Sequence, residues 1–69
     1  MNKKVTLKLD GMDGNAFAIM GNFRRQALRE GWSQSEVDVV LKDAMSDDYD
    51  HLLSVIINHT QDPDEDSAD

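Results

Sequence analysis

Residues 3–10 read Lys-Lys-Val-Thr-Leu-Lys-Leu-Asp. Val5, Leu7 and Leu9 fall on one side of an extended chain, and Lys4, Thr6 and Lys8 on the other. A period of two is the pattern of a half-buried β-strand. No second stretch of the chain has this pattern, and this decides the fold expected. An isolated strand leaves a row of backbone donors and acceptors without partners. Pairing with the same strand of a second copy is the simplest remedy. The expected architecture is therefore mainly helical α+β, one N-terminal β-strand followed by three short α-helices (βααα). Val5, Leu7 and Leu9 would lie at a homo-oligomer interface.

The rest of the chain reads as helices with clear punctuation. Asp10-Gly-Met-Asp-Gly-Asn15 is a turn-rich loop, and Asp13 or Asn15 can cap the helix after it. That helix spans about Ala16 to Glu30. Its apolar face is Ala16, Ile19, Met20, Phe23 and Ala27, widened by Phe17 and Leu28. Gly21 inside it costs ~1 kcal/mol relative to Ala, so a close packing contact or a local break at Gly21-Asn22 is expected there. Gly31 supplies the left-handed stop. Trp32-Ser-Gln-Ser-Glu-Val37 combines a capping box (Ser33 with Glu36) and a hydrophobic staple (Trp32 with Val37). Val37, Val40, Leu41, Ala44 and Met45 continue the second helix. Ser46-Asp47-Asp48 offers a third cap, and Tyr49, Leu52, Leu53, Ile56 and Ile57 carry the third helix to near His59.

Composition sets outer limits. The chain has 69 residues, no cysteine, and a formal charge of −7 from fourteen acids and seven bases. Disulfides and thiolate metal sites are excluded. No apolar run approaches the ~20 residues of a membrane span, and Met1-Asn-Lys-Lys4 leads into a strand rather than a secretory apolar segment, so a cytoplasmic location is expected. Five of the acids lie after residue 60, so residues 1–59 are close to −2 and form the single folded domain. Residues 60–69 read as an acidic disordered tail, either solubilising or a lure for a basic partner. A core drawn from so few residues is marginal without staples, a second reason to expect self-association.

Several constellations could carry function. The loop with Gly11, Asp13, Gly14 and Asn15 joins a strand to a helix start, where backbone N–H groups can receive an anion; the plain alternative is a tight turn with a cap. Arg24 and Arg25, with Arg29, Lys4 and Lys8, form a candidate basic patch, or solvated charges of little consequence. Trp32 and Tyr49 are staples or stacking platforms. His51 and His59, with Asp47, do not make a metal-ligand set, and Met12 breaks an EF-hand pattern. No nucleophile has a base and an orienting group, so an enzyme is not expected, and no cofactor is implied. Helix-Gly-cap-helix from Ala27 to Leu41 invites comparison with helix-turn-helix and ubiquitin-associated modules, but direct duplex DNA binding is not expected of an acidic domain.

Asp13-Gly-Asn-Ala-Phe17 and Asp48-Tyr-Asp-His-Leu52, with Arg24, Ala27-Leu28 and Gly31 between them, resemble a group of small proteins common in phage and prophage genomes. The likeness covers about residues 4–59. Members of the group often carry Gly where this chain has Asp47. The resemblance implies a phage accessory role in a bacterial host cell, counter-defence included, and supplies no mechanism. It marks the Asp13–Phe17 and Tyr49–His51 segments as one candidate site. The function expected is a non-enzymatic accessory protein that self-associates and occupies a protein partner. The alternative is an oligomeric sponge for a small (cyclic) nucleotide held by the glycine loop, Phe17, Arg24, Arg25, Tyr49 and His51. A third reading, a DNA mimic, rests on the tail.

Overall fold

The computed structural model describes residues 4–9 and 14–61. The order of elements is β1 (Val5–Thr6), α1 (Ala16–Arg29), α2 (Gln34–Ala44), α3 (Tyr49–Asn58) and β2 (Thr60–Gln61). The mainly helical α+β architecture holds, with one element that the alternation rule did not find.

That element corrects the expected pairing of the first strand. β2 lies parallel to β1, with Val5 opposite Thr60 and Thr6 opposite Gln61. Val5 N–H donates to the His59 carbonyl at 2.8 Å, and Leu7 N–H to the Gln61 carbonyl at 3.0 Å. The Gln61 side chain adds a bond to Thr6 Oγ1 at 3.2 Å. The strand therefore finds its partner inside the same chain. Thr60 and Gln61, assigned to the tail on composition, close the sheet. The other edge is answered as well, since Thr6 N–H donates to Glu30 Oε2 at 3.0 Å. That carboxylate is held by Gln26 Nε2 at 2.8 Å. Val5, assigned with Leu7 and Leu9 to an oligomer interface, is inaccessible to a second copy, whereas Leu7 and Leu9 are half-buried. Val5 is completely buried in the chain's own core, and Leu7 and Leu9 pack against it.

The helix signals translate into structure directly. Asn15 Oδ1 accepts from Phe17 N–H at 2.8 Å and caps α1. Gly31 has φ +96°, and the chain reverses there through a complete Schellman motif. Its two bonds run from Gly31 N–H to the Leu28 carbonyl and from Trp32 N–H to the Ala27 carbonyl. The Ser33/Glu36 capping box forms with both reciprocal bonds, at 3.1 and 2.8 Å. Asp48 caps α3 by accepting from His51 N–H at 2.9 Å. Asp47 takes no positive φ, and its carboxylate accepts from Asp48 N–H.

The core is one cluster of Val5, Ile19, Phe23, Ala27, Trp32, Val37, Val40, Ala44, Leu52, Val55 and Ile56, with Met20 at its margin. Phe23 and Trp32 meet edge to face with centroids 5.6 Å apart, a geometry that adds ~0.5–1.5 kcal/mol beyond burial. Three expected core positions are corrected. Phe17, Met45 and Ile57 are mostly exposed, because the buried stripe of α3 is centred on Leu52, Val55 and Ile56, and because Phe17 and Met45 sit at helix ends. Gly21 marks neither a close contact nor a break: α1 is continuous, and a Cβ at this position would meet nothing within 4 Å.

Two outcomes test this description. Gly21→Ala should stabilise the protein by about 0.5–1 kcal/mol in urea unfolding, since helix propensity improves and nothing clashes. A chain ending at His59 should unfold at clearly lower urea than one ending at Gln61, because the first leaves the Leu7 donor and the Thr60 side of the sheet without partners, at ~1–3 kcal/mol per buried group.

Candidate functional site

Three helix ends converge at one corner of the molecule. The first turn of α1 contributes Ala16, Phe17 and Met20. The end of α2 contributes Ala44 and Met45, and the start of α3 contributes Asp47, Asp48, Tyr49 and Leu52. Together they enclose a shallow groove of about 280 Å³. Its floor belongs to the core, since Met20, Ala44 and Leu52 are buried. Its walls do not: Phe17 is 80% exposed, Met45 58% and Tyr49 44%. Asp47 and Asp48 stand at its rim.

The two sequence segments singled out as a common site do meet here. The Tyr49 hydroxyl donates a short hydrogen bond to the Gly14 carbonyl, across 35 residues of chain. Phe17 and Tyr49 then line the same groove. Asn15 is next to them as the cap of α1. Tyr49 also lines a second cavity of about 190 Å³, among Leu9, Gly14, Ile19, Leu53 and Ile57. Gly11 and Asp13 lie outside the described residues.

His51 sits beside the groove as a structural clamp. Its Nε2 is 2.9 Å from the Asp43 carbonyl and 3.2 Å from Asp43 Oδ1, and both of those atoms can only accept. Nε2 therefore carries the proton, and the ring ties the first turn of α3 to the last turn of α2. Ser46 reinforces the same corner by donating its hydroxyl to the Asp43 carbonyl at 2.6 Å. The hydrogen bond to the Asp43 side chain, and then the Asp43 backbone bond and the charges of Asp43 and Asp47, raise the His51 pKa above its ordinary 6.5, against a smaller opposing effect of desolvation.

The arginines are not part of this assembly. Arg24 extends to the other end of α2, where its Nη2 donates to Gln34 Oε1 at 3.3 Å. Gln34 and Ala44 are the two ends of an 11-residue helix, roughly 15 Å apart at 1.5 Å per residue. Arg25 is exposed on α1 and, like Arg24, does not line the groove. Sequence reasoning had missed Met45 as a surface residue. Its place at the end of an apolar series read as core, and only the chain's turn at Met45 and Ser46 takes it out to solvent.

Among the described residues no group of three or more His, Asp or Glu side chains is placed to hold a metal ion. No helix of the described residues is long and apolar enough to cross a membrane. No protein-family model, curated protein or solved structure matches the chain.

The histidine clamp has a definite pH signature. A raised folded-state pKa means that protonation of His51 favours the folded chain. This contribution is complete below the unfolded value near 6.5 and is lost as pH rises through the higher folded-state pKa. An NMR titration should place the His51 midpoint above 6.5, and Asp43→Asn should bring it back toward 6.5. The stability advantage of the native chain over Asp43→Asn should shrink as pH rises through that midpoint. A native midpoint at or below 6.5 contradicts the clamp.

Proposed function

We propose that this protein is a non-catalytic binding module that acts by occupying a protein partner, with the corner groove as its contact surface. One observation carries this reading: a large aromatic, Phe17, stands 80% exposed beside an apolar groove, together with Met45 and Tyr49. Single exposed apolar side chains are ordinary, but several sharing one concave site are the usual mark of an interaction surface. Aromatic and methionine side chains are enriched in the centres of protein interfaces. The polar groups around the groove are committed to architecture. Asp48 caps a helix, Asp47 holds the backbone before it, and His51 binds Asp43. That pattern supports binding over acid–base chemistry.

The resemblance of the Asp13–Phe17 and Asp48–Leu52 segments to small phage and prophage proteins suggests the setting: an accessory protein in the cytoplasm of a bacterial host, with counter-defence among its roles. Self-association belongs to this reading as a secondary proposal. It is now motivated by the small core rather than by an unpaired strand. A nucleotide sponge is favoured less by the geometry. The groove is rimmed by Asp47 and Asp48, which repel a phosphate, and Arg24 is occupied at the far end of α2.

Photo-crosslinking tests the proposal. Benzoylphenylalanine placed at Phe17, in the full chain expressed in bacterial cells, should give a discrete adduct with one protein. The same probe at Val39, another exposed apolar position on α2, should give little. Equal labelling from both positions, or none from position 17, would count against the groove as the contact surface.

A further inference from the structure

Resting on the reading of the groove as a contact surface, we infer that its occupant is a cationic amphipathic segment of another protein: apolar anchors on one face, flanked by Lys or Arg. The groove supplies the apolar half of the argument and its rim the charged half. Asp47 and Asp48 line it, and Asp43 and Asp50 flank them in sequence. No Lys or Arg follows Lys42 anywhere in the chain. Of the two cationic groups near this corner, His51 is matched to Asp43, and Lys42 in the last turn of α2 does not line the groove. Asp47 and Asp48 each commit Oδ1 to a backbone N–H. Their second carboxylate oxygens have no hydrogen bond among the described residues, so each has acceptor capacity to offer a partner.

The same charge decides against the other occupants. In a symmetric dimer formed through this groove, the Asp47/Asp48 rim of one copy would face the matching rim of its partner. Like charges brought together at an interface are a strong discriminating penalty. An anionic nucleotide meets the same repulsion. A segment carrying Lys or Arg beside Leu, Ile or Met meets none. It also fits the shape, because an open groove between helix ends accepts the side of an amphipathic helix through anchors at i and i+3 or i+4.

The probes are two synthetic peptides of roughly 14 residues, about 21 Å long as helices, comparable to the 19–36 Å dimensions of the protein. One has Leu at helical spacing with Lys elsewhere; in the other, Glu replaces Lys. With the full chain labelled for NMR, the Lys peptide should shift the signals of Phe17, Met45 and Tyr49, and the Glu peptide should not. Asp47→Asn with Asp48→Asn keeps both backbone acceptors, and Asn is as good a helix cap as Asp, so the fold is retained and only charge is removed. This double variant should weaken Lys-peptide binding about five-fold, the scale of two partly exposed ion pairs. Phe17→Ser should weaken it about ten-fold, the scale of one anchoring aromatic.

The inference is overturned if the shifts are confined to residues 62–69, if the Glu peptide binds as well, or if the double variant binds unchanged. Concentration-dependent shifts at Phe17 and Met45 without peptide would assign the groove to a second copy and overturn it too. A discrete crosslink from position 17 with no preference for the Lys peptide would sink the charge assignment alone. Peptide binding with no crosslink would do the reverse.

Discussion

The fold hangs on three backbone donors, those of β1 and of Leu7 just after it. Val5 is wholly buried, and Thr6 and Leu7 after it are half-buried, so water is a poor substitute partner along this stretch. Each unmet donor there would cost ~1–3 kcal/mol, a large share of the stability of so small a domain. The chain meets them from two sides. His59 and Gln61 carbonyls take the Val5 and Leu7 N–H groups, and the Glu30 carboxylate takes that of Thr6. These three bonds fix where two helices must stop. α1 has to end so that Glu30 reaches the strand, which it does one residue before Gly31 turns the chain away. α3 has to end so that the His59 carbonyl is free to accept, and the His59 ring steadies that end through Nδ1 and the Val55 carbonyl at 2.7 Å. Two short strands thus govern where α1 and α3 end.

This explains which parts were legible in the sequence. Caps and stops are local chemistry. Ser33 and Glu36, Gly31, Asn15 and Asp48 each act within a few residues, so reading them in order recovers the helices closely. β2 is the opposite case. Thr60 and Gln61 are too short to show alternation, they stand against an acidic run, and their partner is 55 residues away. No local rule distinguishes them from tail. With β2 hidden, β1 reads as unpaired and Val5 as an interface residue, although Val5 serves the chain's own core.

Burial at the helix ends was also beyond sequence periodicity. An apolar stripe read at 3.6 residues per turn assumes that a neighbour covers it along its whole length. At the corner where α1 begins, α2 ends and α3 begins, the chain is turning and no element lies over the outer side chains. Phe17 and Met45 fit the stripe and yet remain outside. The joining of the two candidate segments was half legible. The sequence singles out both segments, but the Tyr49–Gly14 bond that makes them neighbours depends on the tertiary fold.

The size of the domain does not by itself account for that corner. A core of this volume leaves much apolar surface exposed wherever it can be spread thinly, as Val39 shows on α2. Phe17 is different in kind, because its ring contributes little to burial and stands beside a groove rather than on a polar face. The acids there exceed what the helices require. One carboxylate at Asp48 suffices to cap α3, and one at Asp50 answers its dipole in the first turn. Asp47 and Asp43 add negative charge beyond that need, which His51 and the neighbouring Lys42 offset in part against the four acids Asp43, Asp47, Asp48 and Asp50. An apolar cleft ringed by surplus carboxylate is poorly suited to a copy of itself or to an anion. It is well suited to a surface that brings hydrocarbon and positive charge together.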